Sequence, residues 1–280
     1  MPAWRTRHGA ARRVFRWHSL YYFPGTVVAR LKAEDVRHQA TSRPSSRARN
    51  DHAALLWSHH SEPNADSQSR VNEAFTRPSN NRRLILASEH FRIDYTADLR
   101  RRDAERILET LEASRDRLRR RLRSANLGHI NLPDANLIIH ATTASFVAAT
   151  GQPGWVAAVT RGRTINMQPV GVLVRRGILA TTLRHEYAHA VIEAVGRGTT
   201  PRWLAEGLAA HVAGEGPMLN RIAGAENLSG DEIEKRLQQS VSQQQMRELY
   251  AAAYRAVRDL VRAKGEASIW QRIAENQKVH

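Results

Sequence analysis

The pattern of apolar and polar residues divides the chain into a stretch without periodicity and a stretch with regular elements. Between residues 40 and 83, Ser, Arg, Asn, Pro and His dominate and apolar residues recur at no fixed spacing, which is typical of a linker or of disorder. Regular patterns begin near Arg83. We therefore assign residues 1–82 to a basic N-terminal segment that is predicted to be disordered, and residues 83–280 to one folded domain.

The first part of the folded domain has the patterns of short strands. Apolar and polar residues alternate from Phe91 to Tyr95, and Leu137–Ile139 is a short apolar run, as expected of half-buried and buried strands respectively. The predicted strands are residues 84–86, 91–95 and 137–139, followed by a hairpin of residues 155–160 and 163–167 that turns at Arg161 and Gly162.

Five stretches have helical periodicity. In the first of them leucines and isoleucines recur at spacings of three, four and seven, and Gly128 marks its end. Capping-box pairs precede the last two, Ser229 with Glu232 and Ser242 with Gln245, and Pro201 opens the third. The predicted helices are residues 99–124, 178–195, 201–213, 230–239 and 243–264. Strands followed by a mostly helical half predict an α+β fold.

The amino-acid composition limits which side chains can form a metal site or act as a nucleophile. The chain has 280 residues, 41% of them hydrophobic, and no cysteine. A packed core is therefore within reach, whereas disulfides, thiolate metal ligands and a cysteine nucleophile are excluded. Any metal site must use His, Asp or Glu side chains.

The charge is strongly positive and unevenly distributed. The formal net charge is +16, and residues 1–82 contain 14 Arg or Lys against 6 Asp or Glu, a net charge of +8. Such a field attracts anionic polymers, so we expect weak association with polyanions through the N-terminal segment. The arginine-rich helix 99–124 has the charge pattern of a solvated helix face and, secondarily, of a polyanion site.

The sequence shows no signal for a membrane. No run approaches the roughly 18 apolar residues that span a bilayer. The first thirty residues carry several arginines, but no clean apolar stretch follows them, so we expect neither a membrane anchor nor an export signal.

The most specific motif lies in the predicted helix 178–195, which contains His185-Glu186-Tyr187-Ala188-His189. Histidines four residues apart lie on one helical face, so both imidazoles can bind one zinc ion. Glu186 lies about 100° further round the helix, where it can reach a zinc-bound water without binding the metal. The plainer interpretation of this pair is a helix face with two solvated histidines.

A catalytic zinc site needs a third protein ligand from a neighbouring element and one open position. Glu206 meets this requirement, because it lies 17 residues after His189 on a helix that the turn at residues 196–200 folds back. Coordination would also offset the cost of burying its carboxylate among apolar residues. The alternatives are His211 as the third ligand, and a solvated or capping role for Glu206.

These residues resemble those of the gluzincin metallopeptidases, and are most similar to the bacterial peptidase-MA-like family. The resemblance rests on the histidine pair with Pro201-Arg202-Trp203-Leu204-Ala205-Glu206-Gly207-Leu208-Ala209, and extends from about Glu89 to Gly265. It implies a zincin (thermolysin-like) fold, one Zn²⁺ held by His185, His189 and Glu206, and Glu186 as general base. It also implies an exported or envelope-facing bacterial enzyme that acts on peptides or proteins, in conflict with the missing export signal.

Three further features allow both a functional and a plain structural interpretation. Glu193 could hydrogen-bond a ligand histidine from outside the coordination shell, or be an exposed surface residue. The resemblance brings Tyr250 and Tyr254 near the metal, where a phenol would stabilise an oxyanion. Of the two we favour Tyr254, although both fit a core stripe. Residues 155–159 suit an edge strand to which an extended peptide adds, or a core hairpin.

Two classes of function follow from the sequence. The first is a zinc-dependent hydrolase, a peptidase that cleaves amide bonds with Glu186 as general base. The second is a non-catalytic zincin-fold binding module that uses its basic surface to hold nucleic acid or an anionic envelope surface. Glu186 favours the enzyme, because a structural zinc site does not need a base. Residues 97–124 lack aromatic residues, which disfavours base-stacking nucleic-acid recognition.

Overall fold

The computed structural model describes residues 82–224, 228–239 and 242–275, all of which belong to one compact unit. The prediction for the N-terminal segment 1–82 therefore lies outside the described residues, apart from Arg82. The described part combines helices with a single sheet, so it has the mixed α and β content that the sequence predicted.

A mixed five-stranded sheet forms one layer of the fold. Its strands are β1 (Arg83–Ala87), β2 (Phe91–Thr96), β3 (Ala135–Ile139), β4 (Ala158–Arg161) and β5 (Thr164–Met167), in the order β1-β2-β3-β5-β4. Strands β2, β3 and β5 are parallel to one another, whereas β1 and β4 pair with them antiparallel. β4 is therefore an edge strand.

Nine helices lie within the described residues. They are α1 (Arg101–Ser124), α2 (Thr143–Thr150), α3 (Val170–Arg175), α4 (Leu179–Gly196), α5 (Arg202–Ala213), α6 (Gly216–Leu219), α7 (Gly230–Gln239), α8 (Gln243–Lys264) and α9 (Glu266–Ala274). The five predicted helices are confirmed to within two residues, and so are both capping boxes. Pro201 is the N-cap residue of α5 rather than its first helical residue. None of the helices in these ranges is long and apolar enough to cross a bilayer.

The predicted start of the hairpin at Trp155 is wrong. Pairing begins at Ala158, and the turn is at Gly162 and Arg163. The partner strand ends at Met167, and beyond it only the carbonyl of Ala157, among residues 155–157, accepts a backbone hydrogen bond from that segment, donated by Gln168 at 3.0 Å. The side-chain amide of Gln168 donates to the carbonyls of Gly154 and Val156 instead, at 2.7 and 2.5 Å.

The sheet and the helices α1 and α4 share one core. Phe91 of β2 packs edge-on against Tyr187 of α4, with ring centroids 4.9 Å apart. Arg115 of α1 is buried and donates to the Tyr187 hydroxyl at 3.0 Å. On the other side of α4, α5 packs between α4 and α8, which brings the motif helix and the Glu206 helix together.

Gly207 allows α5 and α8 to approach each other closely. A β-carbon at this position would overlap the carbonyl of Ala253 and come within 2.6 Å of the Val257 side chain, both on α8. These contacts are to backbone and to a β-branched side chain, so neither moves away easily. The close approach is also what brings α8 next to Glu206, the neighbour of Gly207.

We expect Gly207→Ala to destabilise the protein by about 1–3 kcal/mol, because overpacking outweighs the roughly 1 kcal/mol that alanine adds to helix propensity. The control is Gly171→Ala in α3, where the β-carbon meets only the flexible Arg175 guanidinium at 3.4 Å. Chemical denaturation of both variants measures the difference. A Gly207 variant as stable as the Gly171 variant would contradict the close packing.

Candidate metal centre

The histidine pair lies on the buried side of α4. His185 and His189 are 1% and 0% exposed, so the interpretation as a solvated helix face is wrong. Their rings are one turn apart, with centroids separated by 4.7 Å and Nε2 atoms by 2.9 Å. Both Nε2 atoms therefore point to the same place.

Helix α5 brings Glu206 to this place. Its Oε2 atom lies 3.5 Å from His185 Nε2 and 3.3 Å from His189 Nε2, and the side chain is fully buried. Within the described ranges these three residues are the set of His, Asp and Glu side chains whose ligand atoms converge for a metal ion. The complete burial of Glu206 also excludes a solvated role for this residue.

The spacing of the three atoms fits tetrahedral coordination. Zinc binds imidazole nitrogen and carboxylate oxygen at about 2.0–2.1 Å, so adjacent ligand atoms on a tetrahedron are separated by about 3.3 Å. The observed separations are 2.9, 3.3 and 3.5 Å. The three side chains can therefore bind one ion with only small adjustments, and the fourth position is left for a non-protein ligand.

The charges around the centre favour a cation. Glu186, Glu206 and Glu215 are buried here, and the Arg202 guanidinium lies 3.7 Å from Glu206. Three carboxylates are thus gathered around two buried imidazoles. Burial of such charge is costly unless it is compensated, and a divalent cation compensates it.

The pKa values show the same preference in the metal-free state. Burial lowers the pKa of His185, but the Glu215 and Glu206 carboxylates outweigh burial and raise it well above its usual value. Burial raises the pKa of Glu206, yet His189, His185 and Arg202 together lower it far below its usual range. Both shifts have the same origin, which is that the carboxylates around the histidines favour positive charge at this centre.

Glu186 lies next to the three converging residues but is not one of them. It is fully buried, and its Oε2 atom accepts a 2.6 Å hydrogen bond from the Thr160 hydroxyl on edge strand β4. The same hydroxyl lies 3.1 Å from the backbone carbonyl of Glu186. Thr160 thus fixes the orientation of the carboxylate that the sequence predicts as general base.

The sequence did not reveal Glu215, which the structure brings to His185. Its Oε1 atom is 2.8 Å from His185 Nδ1, on the far side of the ring from Glu206. The α5 helix ends at Ala213, and its C-cap residue Gly214, with a φ of 83°, turns the chain so that Glu215 points back. A carboxylate on the outer nitrogen fixes the tautomer and orientation of a metal-binding histidine. The only sequence signal was the helix stop at Gly214.

We expect Glu215→Gln to weaken zinc binding by roughly 10–100-fold, since losing such an outer carboxylate typically has this effect. The matched control is Glu112→Gln, because Glu112 forms a similar 2.9 Å contact with His90 Nδ1 away from the centre. Competition with a chromophoric chelator measures the affinity. An unchanged affinity in the Glu215 variant, or an equal loss in both, would contradict this role.

The two tyrosines of α8 have different surroundings. Tyr250 donates a 2.8 Å hydrogen bond to Glu206 Oε1, and burial with the nearby Glu206 charge raises its pKa well above the usual value. The Tyr254 hydroxyl lies against the backbone of Gly216, and its ring packs with Ala210 and Leu219. The structure thus brings Tyr250, rather than the favoured Tyr254, to a candidate ligand, and oxyanion stabilisation by Tyr254 stays a prediction.

The other candidates lie further out. His211 points to α9, where its Nε2 atom is 3.5 Å from Glu266, so it is not the residue that joins the histidine pair. Glu193 is half-buried one turn beyond His189 on α4, and its predicted hydrogen bond to a ligand histidine stays a prediction. A cavity of about 700 Å³ lies on the opposite side of α4, lined by Leu179 and Leu183.

Comparison of the chain with protein-family models, with curated proteins and with solved structures gave no match. A function must therefore be inferred from the convergence of His185, His189 and Glu206, and from the position of Glu186 beside them.

Proposed function

We propose that this chain is a zinc-dependent hydrolase of the gluzincin type, a peptidase with a zincin-like fold. The observation that carries the proposal is the convergence of His185, His189 and Glu206 from two packed helices, with Glu186 adjacent and outside the ligand set. A purely structural site has no need of that carboxylate. The donor set of two imidazoles and one carboxylate is that of catalytic zinc sites with an open fourth position.

In this proposal each residue has a separate task. A bound zinc ion supplies Lewis acidity, which acidifies water and polarises a carbonyl. Glu186 takes the proton from the attacking water and passes it to the leaving amine, since it is a carboxylate that does not bind the metal. Thr160 holds Glu186 in position through their 2.6 Å hydrogen bond, and Glu215 orients His185.

The position of β4 supports a peptide as substrate. β4 is at the edge of the sheet, so one side of its backbone has no partner strand in the described sheet. An extended peptide can add to such an edge through main-chain hydrogen bonds. Thr160 belongs to the same strand and contacts Glu186, so a peptide beside β4 would pass close to the general base.

The second candidate is the non-catalytic binding module, and the burial of the centre favours it. The side chains of the centre are at most 1% exposed, namely His185, Glu186, His189 and Glu206. A substrate, however, must reach a catalytic metal. The enzyme proposal therefore requires the centre to open during turnover. Enzymes often use such motions to admit substrate and exclude water.

The experiment that decides is metal analysis of the purified full chain, followed by a broad peptide-library screen before and after chelation. We expect about one zinc per chain, and cleavage that the chelator removes and added zinc restores. Stoichiometric zinc without any cleavage would support the binding module. A chain that retains no zinc would contradict both candidates.

A further inference from the structure

A group of four arginines lies outside the metal centre, at the junction of α1, α4 and α5. Arg117, Arg120 and Arg121 are at positions i, i+3 and i+4 of α1, so they share one helical face. Arg184 belongs to α4. We call these four residues the arginine cluster.

The end of α5 connects the two parts of the arginine cluster. Arg184 donates through Nη1 to the Ala213 carbonyl at 3.3 Å. Two residues earlier on the same helix, His211 lies 3.5 Å from Glu266, which also forms an ion pair with Arg121. The last turn of α5 therefore contacts Arg184 directly and is linked to Arg121 through Glu266.

The positive charge of the cluster is mostly uncompensated. Within the described residues, Arg121 is the only member with a carboxylate partner. Arg117 is bonded to the Ser114 hydroxyl at 3.3 Å and Arg184 to a backbone carbonyl. Four guanidinium groups thus face one carboxylate, and like charges in proximity destabilise the folded state unless an anion joins them.

Two observations support proximity and partial desolvation. Burial, with the charges of Arg184, Arg120 and Arg121, lowers the pKa of the Arg117 guanidinium. The Nε atom of Arg184 is buried and has no hydrogen-bond acceptor among the residues that the structure describes. Arg117 and Arg184 are both half-buried, so the cluster is a partly enclosed group of donors rather than a fully solvated stripe.

We propose that the arginine cluster binds a phosphate group. A guanidinium offers planar, paired N–H donors that match phosphate oxygens, and it stays charged when partly buried. Arg117, Arg120 and Arg184 have charge available, whereas Arg121 is shared with Glu266. The site is separate from the metal centre, and its occupancy does not depend on zinc or on hydrolysis.

The test uses the full chain with inorganic pyrophosphate as the probe, at an ionic strength held constant with chloride. At about 100 times the dissociation constant, binding should raise Tm by roughly 5–10 °C. Arg117→Gln and Arg184→Gln should each weaken binding by about tenfold or more, the usual effect of losing a charge-assisted hydrogen bond. Calorimetric titration gives the affinities directly.

The control variant is Arg102→Gln, which removes the same charge from an exposed position of α1 and should leave the affinity unchanged. It also keeps the basic segment 1–82, so it accounts for non-specific attraction. If Arg102→Gln weakens binding as much as Arg117→Gln, attraction is generic and the proposal fails. The proposal also fails if pyrophosphate raises Tm no more than chloride does and the protein does not bind the phosphate-bearing vesicles described next.

A second arm identifies the source of the phosphate. Vesicles of phosphatidylcholine with phosphatidic acid are tested by co-sedimentation with the same variants. Vesicle binding that is lost in Arg117→Gln and kept in Arg102→Gln assigns the site to a lipid headgroup, whereas pyrophosphate binding with this pattern assigns it to a free phosphate. If the Arg184→Gln variant fails to fold, the Arg117→Gln variant still decides the outcome, because Arg117 is half-exposed.

Discussion

Replacing Glu206 with alanine should weaken zinc binding by more than about 100-fold, which exceeds the loss usual for residues outside the coordination shell. Glu206 Oε2 lies within 3.5 Å of both histidine Nε2 atoms and has no exposed surface. Its removal leaves two protein ligands, too few for a stable tetrahedral site. Zinc content after dialysis, together with a competition titration, measures the effect.

The control for this experiment is His211→Ala on the same helix, five residues further on. His211 contacts Glu266 of α9 and is 24% exposed, so its loss should leave zinc binding unchanged. Circular dichroism of both metal-free variants separates loss of a ligand from loss of the fold. Equal zinc loss in both variants, or loss only in His211→Ala, would move the third ligand and remove the gluzincin proposal.

The parts of the fold that the sequence predicted are those with a strong local signal. Helix α1 has 24 residues and eight buried positions on one stripe, and the Ser242 capping box begins α8 as expected. Of the missed helices, α2 and α3 lack such a stripe. α2 has eight residues and buries only Phe146 and Thr150, and α3 has six residues. α9 follows directly after Gly265, which has a φ of 78° and is at once the end of one helix and the cap of the next.

In the candidate site, too, the sequence predicted the contacts that depend on local geometry and missed those that depend on the tertiary fold. The spacing of His185 and His189 is fixed within one helix, and a short turn brings Glu206 back to them, so local geometry sufficed. Glu215 reaches His185 across 30 residues and Thr160 reaches Glu186 across 26. These contacts depend on where a helix end and an edge strand lie in three dimensions, and no periodicity in the sequence encodes that.

The choice between the two tyrosines shows why packing distances matter. Tyr250 and Tyr254 are one turn apart on the same stripe of α8, so the sequence treats them alike. The close approach of α8 to α5 at Gly207 fixes the height of one helix against the other. At that height the hydroxyl of Tyr250 meets Glu206, and Tyr254 falls one turn further along, against Gly216.

Glu186→Gln separates the enzyme from the metal-stabilised binding module. Glutamine keeps the size of the side chain, and its carbonyl can still accept the hydrogen bond that Thr160 donates to Glu186 Oε2. It cannot take up a proton. Zinc content and thermal stability should therefore remain close to those of the unaltered chain, while peptide hydrolysis should fall by about 10²-fold or more, the usual contribution of a general base.

The control is Glu109→Gln, the same chemical change at an exposed position of α1, which should hydrolyse peptides at the original rate. Steady-state cleavage of a peptide from the library screen and zinc analysis are measured on the same preparations. A Glu186→Gln variant that cleaves as fast as this control shows that Glu186 is not the base. If the variant instead loses its zinc, Glu186 is itself a ligand, because the substitution removes charge without removing volume, and the proposed division between three ligands and one base is wrong.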